Sequence, residues 1–96
     1  MRRSSKLVFR THALRRMFER RISVDDVRLV VTEGETIEEY PDDTPYPSRL
    51  VLGWPAGRPV HVVVADNAQE RESIVTTTYQ PDAAQWEVGF KRRRRP

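Results

Sequence analysis

The chain has 96 residues, 38% of them hydrophobic, with no cysteine and a formal net charge of +3. That is enough for one domain with a single modest core, and it excludes disulfides, thiolate metal sites and cysteine nucleophiles. No apolar run reaches the roughly 20 residues that cross a bilayer, and no charged leader runs into an apolar signal core, so no membrane association and a cytoplasmic location are expected.

The small net charge hides an uneven distribution. Residues 1–21 carry eight Lys/Arg against one Glu, residues 22–90 carry four against thirteen acids, and residues 91–95 are "KRRRR". Basic ends around an acidic middle suit a polyanion or an acidic partner. Repeated arginine favours phosphate, because its planar fork bonds phosphate oxygens in pairs.

In chain order, "KLVFRT" (Lys6–Thr11) predicts a short strand, and Thr11 can cap the helix that follows. At 100° per residue, Ala13, Leu14, Met17, Phe18 and Arg21 share one side of that helix, which reads as its core face. His12, Arg16 and Arg20 form a polar stripe on the other side. Ser23 with Asp26 makes a capping box, with Ile22 and Val27 placed as a hydrophobic staple. Val27, Val30 and Val31 give the second helix its apolar face, and Gly34 is its natural stop.

From residue 35 the period changes to two. "ETIEEY" predicts a strand, and the three prolines of "PDDTPYP" predict a loop. "RLVLGW" and "PVHVVVAD" read as a hairpin turning near Gly57, with Trp54 packing on it. "ESIVTTTY" is a β-branched strand stopped by Pro81, and "WEVGF" reads as a last short strand. The expected class is α+β, two N-terminal helices on one face of a mainly antiparallel sheet in the order β-α-α-β-β-β, with a possible extra strand at the end. The sheet's other face would be free for a ligand. Residues 1–90 form the single domain, and residues 91–96 a basic, flexible tail.

Chemistry has few carriers. His12 opens a helix beside Arg16 and Arg20, where it serves either as a base or as a cap at the core edge. The two arginines serve either a phosphate or only the solvent. His61 sits among valines, either as a satisfied semi-buried side chain or, on a central strand, as a group facing a ligand. Tyr79 offers a proton donor, a base-stacking ring or a core-edge residue. Tyr40, Tyr46 and Trp54 could stack nucleobases. Arg15, Lys91, Arg92, Arg93 and Arg94 are candidate RNA-backbone contacts. Two histidines without cysteine disfavour a dedicated metal site, and Gly-rich phosphate loops and "HExxH" are absent, so neither metal nor cofactor is expected.

"THALRRMFERRIS" resembles the "HAxxRMxERxIS" opening of the domain-of-unknown-function 4258 family. "YPDDTPYPSRLVLGW", "GRPVHVVVAD" and "IVTTTYQPDAAQW" resemble its later blocks in the same order, over about residues 7–90. Arg21 departs from the pattern, standing where many members have glycine. Such domains are similar to small toxins of the RelE/MqsR kind, whose fold is RelE/barnase-like, which cut RNA without metal and which pair with a small antitoxin.

The resemblance implies a toxin endoribonuclease acting on RNA, including ribosome-bound mRNA, with His12, Arg16, Arg20, His61 and Tyr79 as its site. A 2′-hydroxyl would attack the adjacent phosphate to leave a 2′,3′-cyclic phosphate, with a histidine as base and the arginines facing the phosphorane. The alternatives are a non-catalytic RNA- or ribosome-binding module and a protein-interaction domain.

Overall fold

A computed structural model describes residues 6–95. The elements run β1 (Lys6–Phe9), α1 (Thr11–Arg20), α2 (Val24–Glu33), β2 (Glu35–Tyr40), β3 (Ser48–Gly53), β4 (Val60–Asn67) and β5 (Glu72–Tyr79). The five strands form one sheet in the order β1-β5-β4-β3-β2. Three neighbouring pairs are antiparallel, and β1 runs parallel to β5. The expected α+β class is thus what the chain adopts, with β1 docking on the far end of the sequence.

Strand alternation sorts the core. Val60, Val62 and Val64 of β4, with Val51 of β3 and Val75 of β5, face the helices and pack with Ala13, Met17, Ile22, Val27 and Val30. His61, Val63 and Ala65 therefore face the other way. The α2 terminus is built as its sequence requires. Ser23 accepts from the Asp26 N–H at 3.0 Å, and the Asp26 carboxylate accepts from the Ser23 N–H at 3.2 Å, which is the reciprocal capping box. Gly34 ends the helix because nothing larger fits. A Cβ there would come within 2.6 Å of the Leu52 carbonyl oxygen and 2.8 Å of Val51 Cγ1.

The first helix differs from expectation in two ways. Its N-cap is Arg10, without a side-chain cap bond, and Thr11 is already helical. Of the four apolar residues on its expected core face, only Ala13 and Met17 are buried, while Leu14 and Phe18 are 42% and 88% exposed. Helix α1 lies against β5, next to the short edge strand β1, so a narrow seam is all it can cover.

Arg21 closes α1 in the left-handed conformation, φ 57°, ψ 43°, and its N–H bonds back to the helix. A side chain at such a position costs about 1–2 kcal/mol, and glycine avoids that. Arg21→Gly is therefore expected to stabilise the fold by roughly 1 kcal/mol, less the entropy that glycine adds to the unfolded chain. Chemical denaturation measures this, and a destabilised variant would mean that the Arg21 side chain contributes more than its exposure suggests.

The C-terminal segment also departs from expectation. "WEVGF" forms no strand; Trp86 makes a lone bridge to Arg93 instead. Among the described residues, no helix is long and apolar enough to cross a membrane.

Candidate functional site

The centre of the non-helical sheet face is His61, which is fully buried. Its Nε2 lies 2.9 Å from the Phe90 carbonyl oxygen, which can only accept, so this nitrogen carries the proton. That leaves Nδ1 to accept the Tyr79 O–H at 3.2 Å. Trp86 meets the imidazole edge-on at 4.4 Å between ring centres, and Tyr79 does so at 5.3 Å. His61 and Tyr79 are opposite each other in the β4–β5 register, so the sheet itself sets this pair.

Burial lowers the His61 pKa; the Phe90 carbonyl raises it in part, and the nearby Arg93 charge lowers it again. Burial raises the Tyr79 pKa, with Arg93 opposing and Glu38 adding to the effect. Passing a proton from Tyr79 to His61 would run against both net shifts. The pair is a hydrogen bond between neutral groups, and it anchors what lies above it.

What lies above it is the chain's own C-terminal segment, so this end of the face is not free for a ligand. Trp86 is buried against His61, and the Arg93 guanidinium sits 4.7 Å over the Trp86 ring. Backbone bonds join Glu87 N–H to the Arg92 carbonyl and Arg94 N–H to the Gln85 carbonyl, both at 2.8 Å. Arg94 Nε donates to the Ala83 carbonyl, and Lys91 pairs with Glu35 of β2 at 3.0 Å. Residues 91–94 of the basic tail, expected to be flexible, are held back along residues 82–87 in this structure. Trp54 is half-exposed and meets Phe90 edge-on at 5.9 Å, so it borders this segment rather than filling the hairpin.

Helix α1 carries a separate group. His12, Arg15, Arg16 and Arg20 are all exposed. Strand β1 ends opposite Val75, leaving the last residues of β5 with an unpaired edge on that side. Arg20 uses that edge, donating from Nη1 to the Thr78 carbonyl at 2.7 Å.

The sheet thus divides the sequence-derived candidates. His12, Arg16 and Arg20 ride on the helical side, whereas His61 and Tyr79 meet on the other. The structure brings together His61 with Tyr79, and His12 with its two arginines, but it does not bring both histidines to one patch. Sequence reasoning did not foresee the parts played by Phe90, Trp86 and Arg93. The one available signal was a tryptophan and a phenylalanine near the C-terminus with no strand partner to bury them.

The comparisons with known proteins fit a chain whose recognisable features run from the start of α1 to the end of β5. No curated protein and no solved structure matches it. The family model "Domain of unknown function (DUF4258)" matches residues 9–80. That span holds both helices and strands β2 to β5, and on it the chain belongs to the DUF4258 family.

Proposed function

We propose that this chain binds RNA, holding the phosphate backbone with the arginines of α1 and of the C-terminal segment. The observation that carries the reading is the exposure of α1. Only Ala13 and Met17 of its ten residues are buried, so Arg15, Arg16 and Arg20 present their charge to solvent with Glu19 as the helix's one acid. In the C-terminal segment, Arg92 and Arg95 add two cations whose side chains make no hydrogen bond or ion pair among the described residues. Such a surface binds by releasing counterions, so affinity for a single-stranded RNA should fall steeply and linearly on a log–log plot against salt. Affinity for RNA that does not change with salt would refute the reading.

A second reading is supported by His12 lying exposed one turn before Arg16. In it the protein is a toxin endoribonuclease of the RelE/MqsR kind, working in the cytoplasm on free or ribosome-bound mRNA and neutralised by a small antitoxin. The β-α-α-β-β-β-β order supports the likeness. His12 takes the proton of a 2′-hydroxyl, which attacks the adjacent phosphate; the 5′-oxygen leaves and takes a proton from water, and Arg16 faces the phosphorane. His61 has no part in this version, because both its nitrogens are occupied and no solvent reaches it.

The expected result is a cleavage rate about 10²–10⁴-fold lower in His12→Ala, with RNA affinity nearly unchanged. Wild-type protein that binds RNA but leaves it intact from acid to alkaline pH would retain the binding reading alone.

A further inference from the structure

Among the described residues, four of the six exposed large apolar side chains fall into two patches, Leu14 with Phe18 and Leu29 with Trp54. The first is a ridge on α1. Leu14 and Phe18 are four residues apart and so lie one above the other. In helical phase Arg15 flanks them on one side, and Arg10 and Arg21 on the other. All three arginines are exposed. The ridge lies roughly opposite the His12, Arg16 and Arg20 stripe around the helix, so it shares only Arg15 with the surface offered to RNA above.

The second patch is a groove of about 320 Å³ at the C-terminal end of α2, lined by Leu29, Val30, Glu33, Glu35, Leu52 and Trp54. Its apolar floor has room for an aromatic side chain, and its rim carries Glu33 and Glu35, the latter paired with Lys91. Glu33 has no ion pair among the described residues, and Asp25 lies one turn to the other side of Leu29. One patch is a protruding apolar ridge between arginines, and the other is an apolar hollow between carboxylates. Each has the shape and charge that the other lacks.

We propose that a second copy of this chain seats its Leu14–Phe18 ridge in the groove beside Leu29 and Trp54. Every copy carries both halves of the contact. If both can be satisfied between the same two copies, the result is a closed two-fold dimer, and otherwise a head-to-tail chain.

Sedimentation velocity on nucleic-acid-free protein over a wide concentration range tests the contact without involving RNA. The wild type is expected to associate with rising concentration, and less so at high salt, which screens the rim charges. Phe18→Ser and Leu29→Glu should each raise the dissociation constant at least about tenfold, since each removes an anchor at the centre of the contact.

Mixing the two variants gives the decisive reading. Each supplies the half that the other lacks, so the mixture should associate more tightly than either variant alone. Thermal melts check that both remain folded. If Leu29→Glu does not fold, Glu33→Lys at the rim replaces it, with weaker association again expected. A monomer at all concentrations would overturn the proposal. So would a mixture that fails to associate, or association abolished in Phe18→Ser but kept in both groove variants.

Discussion

Replacing His61 by alanine is expected to destabilise the fold by about 2–4 kcal/mol, a core-deletion effect rather than a catalytic one. The imidazole is fully buried, so its removal leaves a cavity beneath Trp86. It also takes the hydrogen-bond acceptor from Tyr79 and the donor from the Phe90 carbonyl. The loss should fall first on the C-terminal segment, seen as earlier quenching changes at Trp86 than in the far-ultraviolet signal of the sheet. A His61→Ala protein as stable as wild type, but inactive on RNA, would contradict the structural role given to this residue.

The same histidine sets a pH dependence whose sign can be worked out. Its pKa in the folded protein lies below the ordinary 6.5, mainly through burial. Above that value both folded and unfolded chains hold it neutral, and its contribution to stability is complete. As pH falls below it, the unfolded chain takes up a proton that the folded chain refuses. Stability then declines by up to about 1.4 kcal/mol per pH unit until the folded pKa is reached. Asp26 acts in a separate window, because its lowered pKa places its loss of stability below the ordinary 3.8. His61→Phe should remove the decline that begins near neutrality and leave the acid one in place.

Local chemistry explains which parts of the fold were legible. The Ser23–Asp26 box, the Gly34 stop and the β-branched run "ESIVTTTY" each act within a few residues, and each element begins or ends where those residues place it. Sequence and structure diverge where partners are distant along the chain. Leu14 and Phe18 have the spacing of a core face, yet α1 lies near the edge of the sheet, where Ala13 and Met17 are enough to cover it. Nothing within the helix reveals that position, which follows from β1 pairing with β5 some 65 residues later. The tail reads as free from its composition, but Trp86 and Phe90 draw it back over His61. For the candidate site, the exposure of the His12, Arg16 and Arg20 stripe was legible from helical phase. Its separation from His61 was legible only once β4's valines were known to face the helices.

That separation gives the second large effect. If the exposed arginines of α1 hold RNA phosphates, Arg15→Ala, Arg16→Ala and Arg20→Ala combined should lower the salt slope of log affinity by up to about 2, near 0.7 for each phosphate of a single strand that is no longer neutralised. At low salt the affinity itself should fall by roughly two to three orders of magnitude, and by the same factor for unrelated sequences, because backbone contacts carry no base information. Arg20 also bonds the Thr78 carbonyl, so Arg15→Ala with Arg16→Ala serves as the variant with an undisturbed β5 edge. The C-terminal segment supplies an internal contrast. Arg92→Ala with Arg95→Ala should lower the slope without changing thermal stability. Arg93→Ala should change both, since its guanidinium stacks on the buried Trp86. A salt slope identical to wild type in the triple α1 variant would remove that helix from the RNA surface, and with it the case for His12 as a catalyst.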